Sequence, residues 1–164
     1  MAGLLSKERI VAGPGFNRWL VPPAALAIHL SIGQAYAFSV FKLPLTKVIG
    51  ISQSAPGDWK QTQLAWIFTI AIVFLGLSAA VFGRWLEHAG PRKSGVVAAC
   101  CWGLGFFISA FGVSVHNIWL IYLGYGVLGG CGLGLGSITP VSTLMKWLPD
   151  RRGMATCIAT MGFG

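Results

Sequence analysis

Residues 94–145 read SGVVAACCWGLGFFISAFGVSVHNIWLIYLGYGVLGGCGLGLGSITPVSTLM, 52 positions between Lys93 and Lys146 without one Asp, Glu, Lys or Arg. A helix rising ~1.5 Å per residue crosses a ~30 Å hydrocarbon layer in about 20 residues, so this stretch is too long for one crossing and suits two. Its polar point, Ser114-Val115-His116-Asn117, is the natural turn between them. Outward from it lie two more uncharged stretches of 23 residues each, 61–83 and 19–41. The expected spans are therefore 19–41, 61–83, 94–113 and 118–144. Apolar residues run continuously through them instead of alternating, which disfavours a membrane β-barrel and makes the fold class all-α integral membrane. A content of 55% hydrophobic and 10% charged residues, with a mean hydropathy of +0.72, likewise takes the 164-residue chain out of the soluble class.

Residues 154–164 are apolar and helix-like but only 11 in number. At ~1.5 Å per residue they reach roughly half way across the bilayer. Carbonyls left there without partners cost several kcal/mol unless other protein covers them. The expectation is four complete spans and the truncated start of a fifth.

Twelve Lys/Arg against four Asp/Glu give a net charge of +8. A nucleic-acid reader needs its bases gathered on one solvated face, whereas these fall in short groups between uncharged stretches. They read instead as topology signals, because Lys and Arg collect on the cytoplasmic side. Lys7, Arg9 and Arg18 precede the first span; Arg84, Arg92 and Lys93 follow the second; Lys146, Arg151 and Arg152 follow the fourth. Only Lys42, Lys47 and Lys60 fall on the other side. This places residues 1–18 and the loops at 84–93 and 146–153 in the cytoplasm, and the chain in the plasma membrane. A cleaved signal peptide competes for the start, but the apolar run is too long for one and lacks a small-residue cleavage site, so it is expected to stay as helix 1.

Cys100, Cys101, Cys131 and Cys157 lie inside the expected spans, at no spacing that pairs them with His or with each other across a loop; they read as small hydrophobes, and no metal or cofactor is expected. Gly124-Tyr125-Gly126-Val127-Leu128-Gly129 matches the letters of a dinucleotide fingerprint but not its context, which requires a strand, a tight turn and a solvated helix start. Close helix packing explains the glycines better. Gly126, Gly130 and Gly134 recur every fourth position, as do Gly132 and Gly136 one face over, and such ridges let backbones approach where lipid offers no hydrophobic drive. On helix 1, a regular 100° advance sets His29, Gly33, Tyr36 and Val40 on one side with Ser39 close by, and turns Gln34 about 160° from Tyr36. Such polar groups face either a cavity or neighbouring helices, and for His29 both readings stay open.

Between the second and third spans stands Gly83-Arg84-Trp85-Leu86-Glu87-His88-Ala89-Gly90-Pro91-Arg92-Lys93. This resembles the signature loop between helices 2 and 3 of the major facilitator superfamily: glycine, an acid four positions on, a base beside it, a second glycine and a basic pair. Gly83, Glu87, Gly90, Arg92 and Lys93 carry the match; Glu87 replaces the usual aspartate and His88 the usual arginine. Gly33-Gln34-Ala35-Tyr36-Ala37-Phe38-Ser39-Val40-Phe41, Thr139-Pro140-Val141, and Lys146 to Ala155 with Met161-Gly162-Phe163-Gly164 are similar to the oxalate/formate antiporter branch.

The resemblance implies the N-terminal part of a twelve-helix fold in two halves, with a small carboxylate such as oxalate, formate or lactate held between them and exposed to each side in turn. It implies that helices 1 and 4 line the cavity, giving His29, Tyr36, Ser39, Ser137, Thr139 and Thr143 as substrate-cavity candidates with Tyr36 foremost. Pro140 removes a backbone donor and should kink helix 4. No Lys or Arg lies within the four expected spans, so a cation matching the substrate is expected from the missing C-terminal half, and the 164 residues alone are not expected to transport.

Glu87 near Arg92, and Asp150 beside Arg151 and Arg152, are placed to exchange partners as helix ends move, which with Gly83, Gly90 and Lys93 makes a cytoplasmic gating loop. The alternative is that these bases only set topology and touch lipid headgroups. A membrane enzyme is a rival reading, but His29, His88 and His116 lie in three separate regions and no two acids are close in sequence. A carrier of another substrate class, a non-transporting membrane scaffold and a truncated gene product also stay open.

Overall fold

The structure, a computed structural model, describes residues 14–46 and 57–162. Lys7, Arg9, Lys47 and most of the expected 1–18 segment lie outside the described residues, as do Phe163 and Gly164 of the half span. Among the described residues there is no strand, and four helical stretches are long and apolar enough to cross a membrane: Arg18–Lys42, Gln61–Ala89, Pro91–Ser114 and Ile118–Trp147.

The first span is not one regular helix. Helix α1 runs Val21–Gly33, with Pro22 and Pro23 in the first turn, where no backbone donor is needed. From Ala35 to Phe38 each N–H bonds the carbonyl three residues back, at 2.9–3.3 Å, before helix α2, Phe38–Thr46, resumes. A three-residue repeat advances ~120° per residue instead of ~100°, so four such residues add roughly 80° of rotation. Side chains expected on one face differ in burial: His29 is 2% exposed and Tyr36 is 51% exposed. Helix α2 also runs past the expected end of the span at residue 41 and takes in Lys42.

Helix α3, Gln61–Ala89, starts with Gln63 Oε1 accepting from the Lys60 N–H at 3.0 Å. It continues six residues past the expected boundary at Gly83 because Arg84 to Ala89 hold no breaker. What reads in sequence as a loop is therefore the last turns of α3, a one-residue corner at Gly90, and the first turn of α4, Pro91–Ser114. Gly90 has φ 85° and ψ 162°, a region essentially reserved for glycine, and Pro91 opens the next helix with a preset φ. The turn at 114–117 falls where expected. His116 takes φ 52°, and the Asn117 side chain caps the next helix by accepting from the Trp119 N–H at 3.0 Å.

The fourth span has three regimes: helix α5, Ile118–Ile121, a wide π-helical segment, Tyr122–Gly129, and helix α6, Gly130–Trp147. It is the hub of the bundle, packing on α1, α3, α4 and the short helix α7, Arg152–Met161. The glycine ridges explain this. A Cβ on Gly130 would sit 2.7 Å from the Ala71 carbonyl oxygen, and one on Gly134 would meet the Leu75 carbonyl and Ser78, both on α3. On the adjoining face, a Cβ on Gly132 would lie 2.7 Å from the Trp102 nitrogen on α4, and one on Gly136 would lie 2.8 Å from Ile32 on α1. Three core clusters follow this hub: Phe38, Leu64, Ile67, Ala71, Ile121 and Tyr125 toward one end, Ile32, Ala35 and Leu133 in the middle, and Ala25, Leu144, Leu148, Ala155 and Ala159 at the basic end.

Candidate functional site

The six expected cavity residues do not gather in one place. His29 is enclosed between α1 and the end of α7: a Cβ on Gly162 would lie 3.0 Å from its Cβ, and its Nδ1 is 3.2 Å from the Ala25 carbonyl oxygen. Tyr36 and Ser39 stay exposed, with the Tyr36 ring edge-on to Phe68 of α3 at 6.3 Å.

The three hydroxyls on α6 bond carbonyls of their own helix: Ser137 donates to Leu133 at 2.8 Å, Thr139 to Leu135 at 2.6 Å and Thr143 to Thr139 at 2.7 Å. They surround Pro140, which cannot donate to the helix itself. Thr139 has a second duty. Its Oγ1 lies 2.8 Å from Ser94 Oγ, both fully or nearly buried, so a single hydroxyl pair ties α4 to α6. With Thr139's hydrogen given to Leu135, Ser94 is the donor of that pair.

Two recesses flank the fourth span. An apolar groove of about 680 Å³ lies between α1, α4 and α6, bordered by Ala24, Ile32, Gly132, Thr139 and Thr143, with Arg92 at its basic end. At the opposite end, a recess of about 470 Å³ is bordered by Gln34, Phe41, Trp59, Ser109, His116 and Tyr125. A clasp closes beside it: His116 stacks on Trp59 at 4.0 Å and 8°, and its Nε2–H donates to the Gly57 carbonyl at 2.8 Å.

The basic end brings the charged candidates together in pairs. Lys146 at the end of α6 lies 4.0 Å from Glu87 on the last turn of α3. Arg18, before α1, donates to Asp150 at 3.0 Å and 3.4 Å. The Asp150 carboxyl is held below its ordinary value, first by its own backbone N–H and then, against some desolvation, by Arg18 and Arg151. Both pairs are exposed, so solvent screens them and each contributes little to stability. A Cβ on Gly83 would meet nothing within 4 Å beyond its own helix backbone, and Arg92 and Lys93 sit on the first turn of α4 beyond the Gly90 corner. Arg18, Lys146 and Ser94 are the partners that the sequence reading left out. For the two charges a signal existed, since each flanks a span at the same end as its acid; for Ser94 none did.

A bundle of long apolar helices joined at one end by a glycine-cornered charge cluster, with a glycine-rich fourth helix at its centre, is a recognisable arrangement. Residues 15–164 match the family model described as Major Facilitator Superfamily. The chain belongs to the major facilitator superfamily. The resemblance expected from Gly83 to Lys93 is thereby borne out, and the chain is that of a multi-pass membrane protein of a transporter family rather than an enzyme.

It is 29% identical over 148 residues to the MFS-type transporter YhjX of Escherichia coli (strain K12), covering 90% of this chain and 34% of that one. To the oxalate:formate antiporter of Oxalobacter formigenes it is 26% identical over 149 residues, 90% of this chain and 33% of that one. To human monocarboxylate transporter 11 it is 28% identical over 158 residues, 93% of this chain and 31% of that one. The chain thus spans about a third of the length of the curated relatives it matches.

Proposed function

We propose that this chain is part of a secondary carrier that moves a small mono- or dicarboxylate of the oxalate, formate or lactate kind by alternating access. The observation that carries the reading is the similarity, over nine-tenths of the chain, to relatives named for oxalate, formate and monocarboxylates. A carboxylate needs hydrogen-bond donors and, somewhere along its path, a cation. Tyr36 and Ser39 on the exposed face of the first span supply the first donors, with Tyr36 making the principal contact. Ser137, Thr139 and Thr143 already satisfy helix carbonyls, and His29 is enclosed, so these four shape the site around the contact. The cation comes from the remainder of a relative-sized protein.

The basic end faces the cytoplasm of the plasma membrane, with the N-terminus on that side, because nine of the twelve Lys and Arg fall there in the span pattern. In this reading Gly83, Glu87, Gly90, Arg92 and Lys93, with Asp150, Arg151 and Arg152, form a weak latch that biases the conformational equilibrium without locking it.

The test is uptake of radiolabelled oxalate, formate and lactate into proteoliposomes carrying the protein at the length its gene encodes. Saturable uptake of one of them, with KM raised several-fold by Tyr36→Phe, is the expected result; no uptake of any of the three sinks the substrate class. Reporter fusions after Trp59, His88, Asn117 and Asp150 test the orientation, which fails if the His88 fusion reports from outside.

A further inference from the structure

The π-helical segment Tyr122–Gly129 is the least expected backbone in the molecule. Such segments hold well under ~1% of residues in proteins and concentrate at functional sites, as an extra residue wound into an α-helix. Its composition tolerates the wide turn, because Gly124, Gly126 and Gly129 fall within it and glycine has little preference for α geometry to lose. Its neighbour fits the turn as well. A Cβ on Gly105 of α4 would sit 2.7 Å from the Gly124 carbonyl oxygen and 2.9 Å from the Gly129 nitrogen, so only a glycine there lets α4 seat against the widened backbone.

Two tyrosines in this segment have opposite circumstances. Tyr122 donates its hydroxyl to the Gln63 carbonyl on α3 at 2.9 Å, which pins the segment. Tyr125 is 5% exposed, and its hydroxyl is buried with no hydrogen-bond partner among the described residues. Its ring is caged by Phe38 at 5.0 Å, Phe106 at 5.7 Å and Trp102 at 5.8 Å. The cage favours the ring while the sealed hydroxyl opposes it, since an unsatisfied buried donor is unfavourable and aromatic contacts are of comparable size. Such a balance leaves a second arrangement close in free energy.

We propose that this segment is a two-state hinge: the π turn rewinds to α geometry, and Tyr125 swings from its sealed cage into the neighbouring recess. Passing one residue through the turn rotates the outer end of the span by about 100° relative to α6. The recess of about 470 Å³ that Tyr125 already borders has room for the hydroxyl and offers it Gln34, Ser109 and His116. The inner end stays fixed, because α6 is held by glycine contacts to α3 and α4 and by the Ser94–Thr139 bond. The fourth span thereby turns at one end only, whatever solute the protein carries.

The hinge is tested by backbone hydrogen exchange of residues 122–129 in the protein at the length its gene encodes, held in lipid nanodiscs. Tyr125→Phe removes only the oxygen that disfavours the sealed state, so exchange in the segment slows about ten-fold. Tyr122→Phe removes only the bond that pins the segment, and exchange does not slow but rises several-fold. Slowing in Tyr125→Phe without slowing in Tyr122→Phe supports the hinge. Any other pattern overturns it, as does a wild-type segment that exchanges no faster than the adjoining turns of α4 and α6.

Discussion

The first and fourth spans are both uncharged stretches of membrane-crossing length, yet 56% of the most apolar window of the fourth is buried against 22% for the first. Side-chain size accounts for the contrast. The first span presents Trp19, Leu20, Leu30, Val40 and Phe41 outward and buries a single stripe of Pro22, Ala25, His29, Ile32, Ala35 and Phe38. The fourth buries glycines on two faces at once, so that three long helices reach its backbone. In lipid, where apolar surface gains nothing by leaving the solvent, position within the bundle follows from how closely backbones can approach.

The sharpest way to break this contrast is to thicken the hub. Gly134→Val places a branched side chain against the Leu75 carbonyl and Ser78, and a backbone atom cannot move aside as a flexible side-chain tip can. The expected cost is about 3 kcal/mol or more, read as loss of the folded fraction in reversible unfolding in mixed micelles. Gly103→Ala on α4, where an added Cβ meets nothing within 4 Å, leaves stability unchanged or raises it by up to ~1 kcal/mol. Equal costs for the two would mean that glycine contacts do not organise the bundle.

The next effect down separates a hydroxyl on the hub from one on the periphery. Thr139→Val keeps the side chain's shape but removes the acceptor for Ser94, and the expected loss is roughly 0.6–2 kcal/mol. Ser39→Ala on the exposed face of the first span shifts stability by less than about 0.5 kcal/mol. A larger loss at Ser39 than at Thr139 would reverse the roles assigned to the two spans.

The same contrast explains what the sequence made legible. The span count follows from charge-free length, the turn at 114–117 from the polar point within the longest stretch, and the ridge Gly126, Gly130 and Gly134 from its period; all three properties are local to one stretch of chain. The tightened turn at Ala35 to Phe38 is not local in that sense, since Gln34, Ala35, Tyr36 and Ala37 hold no proline and are compatible with a continuous helix. The π segment escaped for the same reason: the glycines that permit it also read as an ordinary packing ridge. The partners of Glu87, Asp150 and Thr139 depend on which helix ends and faces meet, which one stretch of chain does not encode. The helical course of Arg84 to Ala89 was hidden by their charge, although Gly90 is the first residue there to favour a break.

The smallest expected effect lies where the two spans are joined. Arg18 precedes the first span, Asp150 follows the fourth, and their pair is exposed at both members, so solvent and salt screen it. Because the Asp150 carboxyl is depressed in the folded chain, the pair contributes above the ordinary carboxylate pKa, and the contribution is lost as pH falls through the depressed value. Asp150→Asn is therefore expected to lower the unfolding midpoint slightly at pH 7 in low salt, by less than Thr139→Val does. It should match the wild type once the carboxyl is protonated, and again at 1 M salt. If the gap between wild type and Asp150→Asn closed in acid but persisted at 1 M salt, the charge pair would not be its source. The cap that Asp150 makes with its own backbone N–H would then be the better explanation, and the link between the two spans at the basic end would rest on α7 packing against α1 and α6.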